Sequence, residues 1–507
     1  MNWGKVWLIG AGPGDPELIT ARGLRVLGEA DAVLYDALSH PALLEHCRPD
    51  AELRNVGKRG GLNNPSQSWI TQQLIELAHA GKRVARLKGG DPLLFARGAE
   101  EAEALRAAGI DFEIVPGVSS PVAAAAYAGI SLTHRDLSSS VTFITGSDKE
   151  GVEWTPDAWQ RLATATDTIC VLMGMRRIDE IARALVAGGR SPETPAAVVQ
   201  WAARPEQRVL VSSLGRVAAE AHREHFTNPA VIVVGEVVAL REALRWYDRR
   251  PLFGKRILVP RAAEQSKETA LAIREASANA VPFPVIEIVA PPDPEPLRRA
   301  AGELSSYDWV LFTSANGVHR FFAELSRQGR DARAFGAAKI GVIGPGTGAA
   351  VERYGVRPDV MASEFLGEGL AREIAYRGVG RVLVVRALVA RDALPTLLRE
   401  SGAVVDVVAA YETRVVSRER GEALRRAFDA REIDVALFTS SSTVSATVAL
   451  LGDGARALLS GVTVAAIGPI TAKTLADVGI RVDVVAATFT IAGLIDALER
   501  HFAPASG

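Results

Sequence analysis

Two stretches, Gly10-Ala11-Gly12-Pro13-Gly14-Asp15-Pro16 and Leu87-Lys88-Gly89-Gly90-Asp91-Pro92, decide how this chain folds. Each follows a short run of strand-forming residues, 6–9 in the first case and 84–87 in the second. Both turns are therefore expected at the carboxyl ends of strands, the edge of an open α/β sheet where ligands bind. Glycine suits that position, because without a Cβ atom the backbone N–H and C=O groups can approach a ligand closely.

The first turn has the spacing of a dinucleotide-binding fingerprint, but its chemistry argues against that function. Pro13 has no N–H to offer a pyrophosphate, and its ring disturbs the tight turn between strand and helix that the fingerprint requires. The Gly-Pro-Gly-Asp-Pro and Lys-Gly-Gly-Asp-Pro turns are informative together, and they predict a ligand of another kind.

Length and composition describe a protein of several compact units. The 507 residues are too many for one hydrophobic core, and 48% hydrophobic with 23% charged residues is typical of globular proteins. A net charge of −1 gives no overall attraction to nucleic acid or to an anionic membrane. The two cysteines, Cys47 and Cys170, are far apart, which argues against a disulfide framework or a cysteine metal site. With no secretory signal at the N-terminus, a cytoplasmic location is expected.

The pattern of the first half alternates strand-like and helix-like segments, which predicts an α/β fold with a mainly parallel sheet. The chain is expected to break near Val115-Pro116-Gly117, where a second series begins that ends with a strand over 230–238. The predicted units are 1–247, with lobes of about 1–115 and 116–247, and 253–503. A linker is placed at 248–252, in a charged segment that contains proline.

An internal repeat marks the second half. Asp308-Trp-Val-Leu-Phe-Thr-Ser matches Asp434-Val-Ala-Leu-Phe-Thr-Ser, and Ile343-Gly-Pro-Gly-Thr matches Ile467-Gly-Pro-Ile-Thr. The period is too long for a solenoid. Two similar α/β lobes with a cleft between them explain the repeat better.

The first half carries motifs that, taken in order, are similar to those of uroporphyrinogen-III C-methyltransferase. They are Val-Trp-Leu-Ile-Gly-Ala-Gly-Pro-Gly-Asp-Pro (6–16), Val-Leu-Tyr-Asp (33–36), Val-Gly-Lys-Arg (56–59), Arg-Leu-Lys-Gly-Gly-Asp-Pro (86–92), Val-Pro-Gly-Val-Ser-Ser (115–120), Gly-Ile-Ser-Leu-Thr-His-Arg (129–135), Val-Leu-Met-Gly (171–174) and Asn-Pro-Ala-Val-Ile-Val-Val-Gly-Glu-Val-Val (228–238). The resemblance spans residues 3–245. It implies a tetrapyrrole-methylase fold of two α/β lobes, with S-adenosylmethionine between the lobes and a homodimer formed through this half.

The resemblance also implies site residues. The cofactor contacts of the family fall on Pro13, Gly89, Gly90, Asp91, Leu94, Ser119, Ser120, Met173, Ala202 and Ala230. Its general base and general acid fall on Asp36 and Lys58. Asp36 could instead cap the next helix, and Lys58 could be a solvated surface lysine. No metal is implied, and His222 with His225 lacks a third ligand.

The implied reaction is methyl transfer to two pyrrole carbons of uroporphyrinogen III, which gives precorrin-2. The eight carboxylates of this substrate need cations, since guanidinium groups pair bidentately with carboxylates. The candidates are Arg22, Arg59, Arg86, Lys88, Arg97, Arg135, Arg176 and Arg177. The sequence departs from the family at Ser147, where histidine is usual, and at Ala96 and Ala202, where glycine is usual.

The second half, residues 253–503, resembles uroporphyrinogen-III synthase. The motifs are Gly-Lys-Arg-Ile-Leu-Val-Pro-Arg (254–261), Pro-Val-Ile-Glu-Ile (284–288), Leu-Phe-Thr-Ser-Ala-Asn-Gly-Val (311–318), Ile-Gly-Pro-Gly-Thr (343–347), Ala-Tyr-Glu-Thr (410–413), Phe-Thr-Ser-Ser-Ser (438–442) and Ala-Ile-Gly-Pro-Ile-Thr-Ala (466–472). The resemblance implies one lobe of about 253–287 plus 414–503 and another of 290–410. It also implies closure of linear hydroxymethylbilane into uroporphyrinogen III with inversion of the last pyrrole ring.

By the same resemblance, Ser314, Thr347, Ser440 and Thr471 line the cleft and bind substrate, while Tyr411 hydrogen-bonds the departing hydroxyl. Turn formation or helix capping is the alternative function of the four hydroxyl residues. For Tyr411 the alternative is a packed tyrosine with a satisfied hydroxyl group.

The product of the second half is the substrate of the first, so the sequence predicts a bifunctional enzyme of tetrapyrrole biosynthesis. Its partners would be small-molecule tetrapyrroles, with no nucleic acid and no membrane. The alternative is a methyltransferase of this fold that acts on another acceptor and carries a non-catalytic tetrapyrrole-binding module.

Overall fold

The computed structural model describes residues 3–57, 65–146, 155–362 and 367–504, the side chains of 263–265 and 418 excepted. The chain divides into two compact units. One comprises Met1–Lys255, Ile273–Asn279 and Leu498–Gly507, and the other Arg256–Ala272 and Ala280–Ala497. Among the described residues, no helix has the length and apolar character needed to cross a membrane.

The first sheet of the first unit is wholly parallel, in the order β3-β2-β4-β1-β5. Its elements are β1 (Lys5–Gly10), α1 (Ala21–Leu27), β2 (Ala32–Tyr35), β3 (Glu52–Asn55), α2 (Gln67–His79), β4 (Val84–Lys88), α3 (Gly98–Ala107) and β5 (Asp111–Val115). Helix α2 begins after Ser66, whose hydroxyl accepts a hydrogen bond from the backbone N–H of Trp69 at 3.1 Å. The strands predicted at 6–9 and 84–87 are confirmed as β1 and β4, and the parallel sheet is confirmed as well.

The second sheet has the order β6-β7-β10-β8-β9, and unlike the first sheet it is mixed. Its elements are α4 (Ser120–Ala128), β6 (Val141–Thr145), α5 (Pro156–Ala165), β7 (Thr168–Leu172), α6 (Ile178–Ala187), β8 (Pro195–Gln200), β9 (Arg208–Ser213), α7 (Val217–Arg223), β10 (Ala230–Val234) and α8 (Arg241–Leu244). Only β6 and β7 pair in parallel, and the other three pairs are antiparallel. One reason is that the loop from β8 to β9 is too short for the crossover that a parallel pair needs.

The last strand of this sheet is also shorter than the predicted 230–238. It ends at Val234, because Gly235 has a φ of +154° and a 3-10 helix, Glu236–Leu240, follows. Apolar side chains of the two faces of the sheet, among them Val231 and Ile232, pack under the flanking helices.

The remaining chain forms two further sheets, ordered β12-β11-β19-β20-β21 and β13-β18-β17-β14-β15-β16. The elements are β11 (Arg256–Val259), α9 (Ala263–Glu275), β12 (Asn279–Pro282), β13 (Ile286–Val289), α10 (Glu295–Gly302), β14 (Trp309–Phe312), α11 (Ala315–Arg327), β15 (Lys339–Val342), α12 (Pro345–Glu352), β16 (Val360–Met361), α13 (Gly367–Arg377), β17 (Arg381–Ala387), α14 (Ala393–Glu400), β18 (Val404–Val415), α15 (Arg418–Asp429), β19 (Val435–Phe438), α16 (Ser441–Leu451), α17 (Ala455–Ser460), β20 (Thr463–Ala466), α18 (Pro469–Asp477), β21 (Val484–Val485) and α19 (Ile491–Phe502).

The sequence repeat of this half is also a structural repeat. Ser314 and Ser440 occupy the same position, each as the extended residue before a helix, with φ and ψ of −162° and 155° in one case and −164° and 155° in the other. Strands β13 and β18 pair antiparallel, from Ile286 with Val415 to Val289 with Glu412. This pair joins the chain segments that lead from one sheet to the other and back.

Candidate functional site

The two glycine turns contact each other in the first unit. The N–H of Gly90 donates to the carbonyl of Gly12 at 2.8 Å, and the N–H of Gly12 donates to the carbonyl of Gly90 at 3.3 Å. Both residues have left-handed backbones, with φ of +74° and +72°, which glycine adopts without strain. Two turns that are remote in sequence thus form one structure at the carboxyl ends of β1 and β4.

Asp91 fastens a third turn to this pair. One carboxylate oxygen accepts hydrogen bonds from the N–H groups of Leu93 and Leu94, and the other accepts from Gly117 at 3.1 Å. Both oxygens therefore serve the backbone. The contribution of Asp91 seen in the structure is to hold the turns in place.

A cavity of about 540 Å³ opens beside the turns and is called here the glycine cavity. Its walls come from both sheets of the unit: Gly12, Pro13, Leu38, Gly89, Gly90, Ser120, Leu172, Met173, Val199, Trp201, Ala202, Arg204, Asn228, Pro229, Ala230 and Val231. Seven of the ten residues predicted to bind the cofactor are in this lining. Of the other three, Leu94 lines the neighbouring cavity, while Asp91 and Ser119 are among the lining residues of neither.

The backbone is strained around these cavities. Met173 and Trp201 line the glycine cavity with φ of 55° and 51°, and Phe95 and Arg97 line its neighbour with φ of 56° and 60°. A left-handed backbone is unfavourable for such side chains and persists where the surrounding structure fixes it, which is common at functional sites.

The neighbouring cavity, about 360 Å³, is called the charged cavity, because Asp36, Arg86, Lys88 and Arg97 line it. Asp36 accepts a hydrogen bond from the Arg86 guanidinium at 2.6 Å. It does not cap the 3-10 helix that follows, which is capped by His40. The structure therefore excludes the capping alternative for Asp36.

Three residues that the sequence analysis singled out, Lys58, Arg59 and Ser147, lie outside the described residues. Among the candidate cations, Arg97 pairs with Glu100 on the surface at 2.6 Å. Arg86 is buried, and its donors reach Asp36, Glu101 and two backbone carbonyls. Arg86 is thus committed to the protein, and the expectation that it receives a substrate carboxylate is not supported.

Burial shifts the pKa of two groups near the cavities. The pKa of His40 falls to about 4, mainly because burial penalises the imidazolium ion and further because Arg204 is near. The pKa of Lys88 is lowered by burial and by Arg86, against the opposing effect of Glu101. Sequence reasoning missed Glu101, although a charged residue on the apolar face of α3, four positions before Leu105, was a visible signal.

In the second unit, a cavity of about 310 Å³ lies at the carboxyl ends of β14, β15 and β17, beside Tyr411 of β18, and is called the tyrosine cavity. The hydroxyl groups of Ser314 and Tyr411 are 3.0 Å apart in its wall. Ser314 also caps α11 by accepting from the N–H of Gly317. Arg386, which the sequence reasoning missed, lines the cavity and bonds Asp392 at 2.7 Å.

The other predicted substrate residues do not line this cavity. Thr347 and Thr471 are buried within α12 and α18. Ser440 caps α16 by accepting from the N–H of Thr443 at 3.3 Å. The structure brings Ser314 and Tyr411 together, and it leaves Thr347, Ser440 and Thr471 outside the group.

Comparison with known proteins matches each half to a family. Residues 5–218 match the family of tetrapyrrole (corrin/porphyrin) methylases, and residues 267–496 match uroporphyrinogen-III synthase HemD. Porphyrin biosynthesis protein HemD of Ruminiclostridium josui is 38% identical over 501 residues, which is 98% of each chain. Uroporphyrinogen-III C-methyltransferase of Bacillus subtilis is 38% identical over 66% of this chain and 68% of its own.

Siroheme synthase of Azotobacter vinelandii is 48% identical over 247 residues, which is 49% of this chain, and the match spans about half (53%) of the relative. These matches define a two-part enzyme of tetrapyrrole biosynthesis, and its fold is α/β. The chain belongs to the tetrapyrrole methylases in its first half and to the uroporphyrinogen-III synthases in its second. It is a bifunctional enzyme of tetrapyrrole biosynthesis.

Proposed function

We propose that the glycine cavity binds S-adenosylmethionine and that the first half methylates uroporphyrinogen III twice, giving precorrin-2. The observation that carries this proposal is the mutual hydrogen bonding of Gly12 and Gly90 at the wall of a cavity that seven of the expected contact residues line. The volume of about 540 Å³ lies in the usual range of small-molecule sites. No Cβ atom projects from Gly89 or Gly90, so adenosine and methionine groups can reach the backbone.

The donor supplies the methyl group, and the protein holds the acceptor in line with it and removes a proton. Asp36, in the wall of the charged cavity, is the proposed general base that accepts this proton. Lys58 is the proposed general acid. Leu38, Gly89, Ser120, Leu172 and Met173 line both cavities. A methyl donor in one and a pyrrole ring in the other would therefore be adjacent, as positioning requires. Asp91 and Ser119 are proposed to support the cofactor through the turns that they shape.

The decisive experiment uses the full chain with methyl-labelled S-adenosylmethionine and uroporphyrinogen III. We expect Asp36→Asn to lower kcat by about 100-fold or more, the usual contribution of a proton-transfer group. Asp50→Asn is the matched control, since it removes an arginine-bonded carboxylate, held by Arg48 at 3.0 Å, that does not line the cavity. Full activity of Asp36→Asn would refute the proposed base.

For the second half, we propose that the tyrosine cavity holds one end of linear hydroxymethylbilane. Tyr411 is the proposed hydrogen-bond donor to the departing hydroxyl group, and Arg386 is a cation that a substrate carboxylate can reach. Ser314, beside Tyr411, is proposed to bind the substrate in this cavity. Thr347, Ser440 and Thr471, which lie outside the cavity, are proposed to contact other parts of the bilane. Since the bilane is intrinsically reactive, the task of the protein is to control its conformation.

Identification of the cyclised isomers tests this half. With hydroxymethylbilane and no methyl donor, the full chain is expected to form uroporphyrinogen III. A non-catalytic binding module would leave the isomer I that forms spontaneously.

We also propose the domain limits 1–247 and 253–503 with a linker at 248–252, a homodimer through the first half, and a cytoplasmic location. Cys47 and Cys170 are free thiols in the structure, which is compatible with a reducing compartment. Light scattering on the purified chain tests the dimer, for which the expected mass is twice that of one chain.

A further inference from the structure

A cluster of buried charges lies behind the charged cavity. Its centre is Glu101 of α3, which has no exposed surface. Its carboxylate accepts hydrogen bonds from Gln67 at 2.9 Å, from Arg86 at 3.2 Å and from Lys88 at 2.9 Å. One buried carboxylate thus binds groups from α2 and from two positions of β4.

The cluster extends through Arg86 to the cavity wall. The guanidinium of Arg86 uses one nitrogen for Glu101, a second for the backbone carbonyls of Leu34 and Leu87, and the third for Asp36 at 2.6 Å. A guanidinium held at all three nitrogens cannot rotate without losing bonds. The donor that bonds one oxygen of the Asp36 carboxylate is therefore fixed in position where Asp36 lines the cavity.

The energetics indicate that the cluster is retained for more than stability. The four charges Asp36, Arg86, Lys88 and Glu101 sum to zero, yet moving ions out of water costs as much as their pairing returns. Apolar side chains of similar volume would fill this space at no such cost. Three of the four groups line the charged cavity, whereas Glu101 lies behind them. This arrangement is what a support for reactive groups requires.

We propose that Glu101 is a positioning residue of the methyltransferase, acting through Arg86 on Asp36. The inference rests on the proposed role of Asp36 as proton acceptor. The groups that face Asp36 and share its electrostatic environment are Arg86 and Lys88 of β4, Glu101 of α3 and Arg97, which precedes α3. Removal of the Glu101 carboxylate would leave Arg86 less constrained, with Asp36 as its remaining carboxylate partner.

The test compares Glu101→Gln with Glu103→Gln, which removes the same charge from an exposed position of the same helix. We expect Glu101→Gln to lower the kcat of methylation by about 10- to 100-fold, because small misplacements of a reacting group have effects of this size. The KM for S-adenosylmethionine should stay unchanged, and the acidic limb of the kcat–pH profile should move to lower pH. Glu103→Gln should have the kcat, the KM for S-adenosylmethionine and the kcat–pH profile of the parent.

A double-mutant cycle separates positioning from a general loss of structure. In the Asp36→Asn background, Glu101→Gln should have no further effect on the residual rate, because the group that it positions is gone. A further loss of the same size as in the parent would overturn the proposal. If Glu101→Gln does not fold, Glu101→Asp, which keeps the charge on a shorter side chain, should give an intermediate kcat; a parental kcat would also overturn it.

Failure of this inference is distinguishable from failure of the proposed function. If Asp36→Asn itself retains the parental rate, the assignment of the base is wrong. If Asp36→Asn loses activity while Glu101→Gln keeps the parental kcat and pH profile, only the positioning role of Glu101 is wrong. Conversion of hydroxymethylbilane by the same preparations reports whether the second half of each variant is intact.

Discussion

At the scale of single residues, burial changes the chemistry of side chains in the first unit. His40 is an example: its Nδ1 atom accepts a hydrogen bond from the N–H of Ala42 at 3.2 Å, which requires a neutral ring. Burial, with a contribution from Arg204, lowers its pKa to about 4 from an ordinary value near 6.5. Between these values the unfolded chain binds a proton that the folded chain does not bind.

This linkage predicts a loss of stability in acid. As the pH falls from about 6.5 towards 4, His40 should lower the free energy of unfolding by up to about 3 kcal/mol. His40→Asn keeps a capping acceptor but does not titrate, so its urea-unfolding free energy should fall less between pH 7 and pH 5 than that of the parent. Equal pH dependence of the two proteins would contradict the prediction.

Tyr411 gives a second prediction at this scale. The hydroxyl group of this buried residue lies 3.0 Å from that of Ser314. Loss of one hydrogen bond that stabilises a transition state lowers the rate about ten-fold. Tyr411→Phe should therefore lower the rate of uroporphyrinogen III formation about ten-fold and raise the share of isomer I. Tyr307→Phe is the control, because this hydroxyl bonds Asp406 of β18 at 2.9 Å and Tyr307 does not line the cavity.

At the scale of elements, the first site is formed where three strand ends meet without side chains. A Cβ atom on Gly117 would stand 2.5 Å from the carbonyl oxygen of Gly90 and 2.7 Å from the Cα atom of Gly10. A Cβ atom on Gly10 would likewise stand 2.5 Å from the Cα atom of Gly117, so the strand ends can approach this closely because both residues are glycine. The hydrogen bonds between Gly12 and Gly90 depend on that approach.

Gly117→Ala should separate these turns. Because the atoms that the new methyl group meets are backbone atoms, we expect about 2–3 kcal/mol of lost stability and at least ten-fold weaker binding of S-adenosylhomocysteine by calorimetry. Gly461→Ala should change neither, since Gly461 has helical backbone angles and the nearest atom to its new Cβ would be 3.5 Å away. Unchanged ligand affinity in Gly117→Ala would show that the close approach of the turns is not needed for binding.

At the scale of the whole molecule, one chain carries two enzymes whose reactions are consecutive. The glycine and charged cavities belong to the first unit and the tyrosine cavity to the second. Each site is lined by residues of its own unit alone. The chemistry of one half is therefore expected to proceed when the other is disabled.

Full-length variants fed with hydroxymethylbilane and S-adenosylmethionine can measure this independence. Asp36→Asn should accumulate uroporphyrinogen III at the parental rate of bilane consumption, with little dimethylated product. Tyr411→Phe should methylate added uroporphyrinogen III at the parental rate. A large loss of bilane consumption in Asp36→Asn would contradict independent sites.

The sequence by itself determined the α/β class and the parallel first sheet, because glycine turns and strand periodicity are local signals. Its motifs also determined the two families and, through them, seven of the sixteen residues that line the glycine cavity. Only the tertiary structure decided what depends on distant residues meeting. It showed that the second sheet is mostly antiparallel, that Gly12 pairs with Gly90, and that Asp91 holds backbone. It also showed that Glu101 lies between Arg86 and Lys88. Charged residues are mostly exposed, so a sequence alone predicts a solvent-exposed position for each of them. Only the folded structure shows which charged side chains are buried against each other.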